Sequence, residues 1–344
     1  MNDARVLVVD DSAAMRALFS DILEQSKGVH VVGTAASAAE ARNQIAELKP
    51  NVVTLDVEMP GMSGIDFLAE IMSTAPLPVV MLSALTQSGT EVSLKAFELG
   101  AVECFPKPLK ATPEQFAKTV GKLGKIVLAA ANSNVRERKA AGAAREAKQI
   151  AAFTWNGHVC AFSASMGGID ALSEILSGWP AECPPTVIVL QAEQALVNTF
   201  ISRLDTELPC KVIAAKYGAQ LTAGTVHIAA DPDHHVVFEP GNPAKIRLMT
   251  RDPVDGARPS ATLLFGTIAR AGVPAVGAVL TGMGTDGAKG LKMMRDAGCR
   301  TLAQDPASAI VAEMPAAAVS AGGAEKVLPL DQLGDAIVGL CNQS

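Results

Sequence analysis

Short apolar runs, mostly β-branched, recur along this chain, and each is followed by a longer segment with helical spacing. That alternation leaves few folds open. The first series of runs covers residues 6–9, 29–33, 52–55, 79–82 and 101–105. Runs with no polar alternation read as strands buried on both faces, which means a parallel sheet covered by helices. Ser12 stands where it would cap a first helix carrying Met15, Leu18, Phe19, Ile22 and Leu23. Five such units predict an α/β, flavodoxin-like, doubly wound domain over residues 1–124.

In sheets of this kind ligands bind at the carboxyl ends of the strands. Those ends present Asp10 and Asp11, then Asp56, Ser83 and Lys107. Three carboxylates at one edge repel each other unless a cation neutralises them, and hard oxygen ligands suit Mg²⁺. Lys107 adds positive charge. A carboxylate in this setting can act as nucleophile toward a phosphoryl donor, so Asp56 is the candidate acceptor and Ser83 its hydrogen-bonding neighbour. Each residue alone reads equally well as a strand-end cap or a solvated charge.

The ordered set is more specific. Asp10-Asp11, Asp56 followed by Met59-Pro60-Gly61-Met62-Ser63-Gly64, Ser83-Ala84 and Lys107-Pro108 resemble the receiver domain of response regulators across residues 4–124. The resemblance implies phosphorylation of Asp56 by a histidine kinase. It also implies Mg²⁺ held by Asp10, Asp11, Asp56 and the backbone carbonyl of Glu58, with Ser83 and Lys107 in support. One position departs from the pattern: Cys104 stands where such domains carry a switching aromatic, and Phe105 follows it.

Residues 125–155 read as a linker. An apolar start is broken by Asn132-Ser133-Asn134, and an Ala-rich stretch follows in which Arg136, Arg138, Lys139, Arg145 and Lys148 outnumber Glu137 and Glu146. Such a segment is a solvated, partly helical spacer or a clamp that orders when the first domain moves.

The β/α rhythm resumes over residues 156–344. Strands are expected at 159–162, 186–190, 212–214, 225–230, 236–239, 246–248, 276–280 and 301–303. Helices are expected near 168–177, 195–207, 258–271, 287–297, 315–321 and 331–341. Residues 233–248 read as a hairpin, and the rest as a second doubly wound, mostly parallel α/β sheet. At the end of its first strand, Ser165-Met166-Gly167-Gly168 exposes a hydroxyl beside a helix N-terminus, whose free amides can hold a developing oxyanion. The same serine would serve as a helix N-cap. A later strand ends in Thr281-Gly282-Met283-Gly284-Thr285-Asp286-Gly287, which matches neither common phosphate-loop pattern. Asp286 fits the orienting acid of a hydrolase, or a cap on the next helix.

Together with Arg258-Pro259-Ser260, Ala303-Gln304-Asp305-Pro306 and Glu313-Met314-Pro315, these stretches are similar to the chemotaxis methylesterase response regulators, the CheB family, over residues 157–342. The family hydrolyses methyl esters of chemoreceptor glutamates, can deamidate receptor glutamines, and is gated by its receiver. Carried across, Ser165 is the nucleophile and Asp286 the orienting acid, with the amides of Met166 and Met283 as oxyanion-hole candidates. No metal or cofactor is implied for this domain. The family histidine follows the next strand, but here the chain reads Gln191-Ala192-Glu193, with Ala192 in its place. Ser163, Met166 and Thr262 also depart from the usual glycine, threonine and aspartate. His234 and His235 are the candidate substitute bases, and Glu193 is a weaker one.

Three readings remain open: an impaired phosphorylation-gated methylesterase, a silent member acting as phosphate sink or receptor-binding adaptor, and a hydrolase of another small ester. A net charge of -6 argues against nucleic acid as the partner. No apolar run is long enough to insert in a membrane. Six scattered cysteines without metal spacing, and a start directly on a strand, suit a reduced cytoplasm. The expected partners are a histidine kinase and methyl-accepting receptors, and a monomer is expected.

Overall fold

The computed structural model describes residues 2–83, 87–107, 113–135 and 153–343. It divides into two compact units, Met1–Gly142 and Ala143–Ser344.

The first unit alternates β1 (Ala4–Val9), α1 (Ala13–Glu24), β2 (Val29–Ala35), α2 (Ala38–Leu48), β3 (Val52–Asp56), α3 (Gly64–Thr74), β4 (Val79–Ser83), α4 (Gln87–Glu98), β5 (Glu103–Pro106) and α5 (Pro113–Ala131). Its five strands are all parallel, in the order β2-β1-β3-β4-β5, which is the flavodoxin-like arrangement. The cause is legible residue by residue. Every side chain of β3 and β4 is buried, as strands covered on both faces require. Ser12, Ser37 and Ser63 each accept a hydrogen bond from the amide three residues on, which starts α1, α2 and α3.

The helix α5 continues to Ala131, past the domain end expected at residue 124. Ile126, Val127, Ala129 and Ala130 are buried, so the apolar start of the expected linker belongs to this helix. The charged run that follows, and Pro108, lie outside the described residues.

The second unit holds a seven-stranded parallel sheet. Its strands are β6 (Val159–Ala164), β7 (Thr186–Leu190), β8 (Lys211–Ala214), β9 (Thr225–Ala229), β12 (Ala275–Val279), β13 (Arg300–Gln304) and β14 (Lys326–Leu328), in the order β14-β13-β12-β6-β7-β9-β8. The expected hairpin is the antiparallel pair β10 (His235–Glu239) and β11 (Lys245–Met249). Among the described residues six helices accompany them: α6 (Gly168–Ser177), α7 (Gln194–Glu207), α8 (Ala261–Ala271), α9 (Ala288–Asp296), α10 (Glu313–Ser320) and α11 (Leu330–Cys341). Strand β14 was not expected. It is three residues at a sheet edge with little burial, so it carries no apolar run. The chain order reverses between β6 and its neighbour β12, and open α/β sheets place ligands at such a switch point.

The core of this unit includes Phe162, fully buried on β6 and edge-on to Trp179 with ring centroids 5.8 Å apart. His227 lies inside the sheet between Val187 of β7 and Ile213 of β8. It is 1 % exposed, and neither ring nitrogen has a hydrogen-bond partner of good geometry among the described residues. Burial pushes its pKa below the ordinary histidine value, against a smaller opposing pull from the Gln220 backbone.

A protonated His227 is therefore disfavoured in the fold but not in the unfolded chain. Its contribution to stability is complete above the unfolded-state value of about 6.5. It is lost as the pH falls from there through the lower folded-state value. Both tryptophans, Trp155 and Trp179, lie in this unit, so urea unfolding followed by their fluorescence reports on it. His227→Leu is expected to flatten the loss of stability between about pH 7 and 5; an unchanged slope would remove His227 as its source.

Candidate functional site

Ser165 follows β6 directly, and three features hold it in the turn. Its amide donates to the Thr281 carbonyl at 3.0 Å, and its carbonyl accepts from Gly168 N at 2.7 Å. Gly167 has φ +75°, a conformation glycine adopts without strain, and a Cβ there would lie 2.8 Å from Ile310. Gly282 is as constrained by space: a Cβ on it would meet Ser165 Cβ at 2.7 Å. The Thr281 hydroxyl donates to the Met166 carbonyl and accepts from Val311 N, both at 2.9 Å, locking the turn to the loop after β12. Sequence reasoning did not single out Thr281; its only signal was its place beside the glycines.

Asp286 lies in that loop, 3 % exposed. Its Oδ1 accepts from the Ser260 hydroxyl at 2.7 Å and from Thr262 N at 3.0 Å. Its Oδ2 accepts from Ala261 N at 2.7 Å and from Gln191 Nε2 at 2.8 Å. Two of these donors are the first amides of α8, so the carboxylate sits on a helix N-terminus. Thr262 is a brace here: its hydroxyl donates to Asp255 Oδ2 at 3.2 Å and accepts from Gly287 N at 2.9 Å.

The residue joining Ser165 to Asp286 is Gln191. Its backbone carbonyl accepts from the Ser165 hydroxyl at 3.4 Å while its side-chain amide donates to Asp286. Ala192, beside it, contributes only a methyl group. Neither candidate imidazole is hydrogen-bonded to Ser165 or Asp286. His235 is the first residue of β10 and fully buried. Its Nδ1 accepts from Ser260 N at 3.2 Å and its Nε2 faces the Asp252 carbonyl at 3.1 Å, so both nitrogens are engaged. The Nδ1 of His234 is 2.7 Å from Asp231 Oδ2, beside a cavity of about 400 Å³ lined by Asn198, Lys216 and Tyr217. Glu193 is the exposed residue before α7. Among the described residues, neither the Met166 nor the Met283 amide donates a hydrogen bond.

The first unit brings its predicted residues together. Oxygens of Asp10, Asp11 and Asp56 lie within 4.8 Å of one another. Asp10 and Asp56 are buried, and Lys107 Nζ bridges them at 2.9 and 2.7 Å. Burial pushes the Asp56 carboxyl above its usual range, although Lys107 pulls the other way. Burial alone would lower Lys107, but its bonds to Asp56 and Asp10 outweigh that and raise it. Glu58 N donates to Asp56 Oδ1 at 3.2 Å, so Glu58 lies at the same edge. The oxygen-rich donor set, crowded enough to need a cation, fits Mg²⁺. The Ser83 hydroxyl is turned elsewhere, onto Ser93 of α4 at 3.2 Å.

Known proteins resemble the chain along its length. Residues 160–337 match the family model described as CheB methylesterase, and residues 6–119 match that of the response regulator receiver domain. The chain is 44% identical to protein-glutamate methylesterase/protein-glutamine glutaminase 1 of Caulobacter vibrioides, over 99% of each chain. It is 41% identical to protein-glutamate methylesterase/protein-glutamine glutaminase of Rhizobium etli, over 98% of this chain and 96% of that one. The crystal structure of the Thermotoga maritima CheB methylesterase catalytic domain superposes with a TM-score of 0.51 at 26% identity. It covers 54% of this chain and 99% of that one.

The four hydrogen bonds on Asp286 predict a steep effect of removing its carboxylate. Asp286→Ala leaves buried donors without an acceptor and is expected to cost roughly 3 kcal/mol or more of unfolding free energy. Ser260→Ala, which removes one donor, is expected to cost about 1–2 kcal/mol. Urea unfolding of the two variants checks the ranking, and equal losses would mean that the carboxylate is not the hub.

Proposed function

The chain belongs to the CheB methylesterase family and carries a response-regulator receiver domain, and from that premise we propose a phosphorylation-regulated protein-glutamate methylesterase with impaired turnover. Its substrates are methyl-esterified glutamates of chemoreceptors, with receptor glutamines as amide substrates. Its input is a chemotaxis histidine kinase, and its place is the cytoplasm. The observation that carries the impairment is Gln191, which meets both Ser165 and Asp286 and has no group that takes a proton near neutral pH.

In this reading Ser165 attacks the ester carbonyl, and the amides of Met166 and Met283 donate to the oxygen that becomes negative. Asp286, fixed by Ser260 and the start of α8, is ready to orient a base. The base itself is what the site lacks. A neutral serine hydroxyl is a weak nucleophile without a proton acceptor. Loss of a triad member lowers turnover by about 10⁴ to 10⁶. Oxyanion stabilisation and binding leave up to about 10³ to 10⁴ over water. The same arrangement of Gln191 favours a second reading, a silent member that serves as phosphate sink or receptor-binding adaptor.

For the receiver, the buried cluster of Asp10, Asp56 and Lys107 supports Asp56 as phosphoryl acceptor. Asp10, Asp11, Asp56 and the backbone carbonyl of Glu58 would hold Mg²⁺. When bound, the ion neutralises charge on the phosphoryl oxygens. Lys107, bonded to Asp10 and Asp56, supplies further positive charge.

Methanol release from a methylated receptor fragment tests the esterase reading. The native chain is expected to exceed Ser165→Ala by a small but measurable factor. An imidazole introduced by Ala192→His, or by Gln191→His, is expected to raise the rate by about two decades or more. Native turnover that neither substitution exceeds would end the claim of impairment. Native turnover equal to that of Ser165→Ala would select the silent reading.

A further inference from the structure

Ser83 has one hydroxyl proton, and the structure shows where it goes. The Ser93 hydroxyl donates its own proton to the Gly89 carbonyl at 2.8 Å, within α4. At the 3.2 Å contact between the two hydroxyl oxygens, Ser83 is therefore the donor and Ser93 the acceptor. Both side chains are buried, at 6 % and 3 % exposure, so water does not replace the bond if it breaks. The Ser93 carbonyl in turn accepts from the Cys104 thiol at 3.7 Å. One residue of α4 is thus bonded to the hydroxyl at the end of β4 and to the β5 side chain that stands where related domains carry an aromatic.

We infer that Ser93 is a positioning residue for phosphorylation: it holds the Ser83 hydroxyl away from Asp56 and sets how readily the site closes on a phosphoryl group. This rests on the acceptor role proposed for Asp56. A phosphoryl oxygen on Asp56 is a charged acceptor and outbids a neutral hydroxyl for the Ser83 proton. The exchange breaks the Ser83–Ser93 bond and leaves the Ser93 oxygen buried without a donor. Ser93 therefore stabilises the unphosphorylated state. Its release alters the segment of α4 that Cys104 grips, so the change reaches β5 by hydrogen bonds rather than by rotation of a ring.

Beryllofluoride, a phosphoryl mimic, titrated with Mg²⁺ into the full chain and followed by ¹⁹F NMR, tests the inference. Ser93→Ala is expected to bind it about 3- to 10-fold more tightly, the worth of one neutral hydrogen bond. In a Ser83→Ala background the same substitution is expected to change nothing, which a merely structural role would not produce. Ser93→Thr, which keeps the hydroxyl, should retain native affinity. If Ser93→Ala does not fold, Ser93→Cys fills the site with a slightly larger side chain that is a weak acceptor and should shift affinity in the same direction. Native affinity in Ser93→Ala, or an equal effect in both backgrounds, overturns the inference while leaving Asp56 as acceptor. Failure of the native chain to bind, or undiminished binding by Asp56→Asn, overturns the receiver reading and this inference with it.

Discussion

The second unit depends on the seating of one buried carboxylate. Asp286 comes from the loop after β12, yet its partners belong to the start of α8 and to the loop after β7. A buried charge is costly unless hydrogen-bonded, and here four donors satisfy it. The same bonds fix the distance between three segments far apart in sequence. Ser165 then needs only the Thr281 clamp and the absence of side chains at Gly167 and Gly282 to face them. The turn bearing Ser165 and the loop bearing Asp286 are thereby held in one arrangement, with Gln191 bonded to both.

The first unit also buries carboxylates, but against a lysine rather than a helix N-terminus. Asp10 and Asp56 are buried side by side and Asp11 stands close, so negative charge exceeds what Lys107 neutralises. Lys107 offsets part of that charge, and the cluster offers hard oxygen atoms for a divalent cation. Both units gather their clustered polar side chains at the carboxyl ends of parallel strands, where loops are free to vary while the sheet stays rigid.

Much of this was legible in the residues. Buried runs without polar alternation, such as 52–55 and 186–190, marked central parallel strands, and Ser12 marked the start of α1. Asp10, Asp11, Asp56 and Lys107 fell together because a doubly wound sheet brings successive strand ends to one edge. The signals failed where burial was slight or local. Strand β14 has no apolar run, and the end of α5 was hidden by the apolar residues 125–131, which suit a helix or a linker equally. His235 adjoins His234 in sequence, but strand pairing turns it into the core, where Ser260 and Asp252 take both ring nitrogens.

The sequence by itself determined the two sheets, the residues at their edges and the absence of histidine after β7, because those follow from pattern and residue type. Only the tertiary structure decided which group fills the gap and which hydroxyl Ser83 addresses. Gln191 was one polar residue among several until β6, β7 and β12 lay side by side and brought its carbonyl to Ser165 and its amide to Asp286. Hydrogen bonds of this kind depend on separations of a few tenths of an ångström between distant segments, and no local pattern in the chain encodes them.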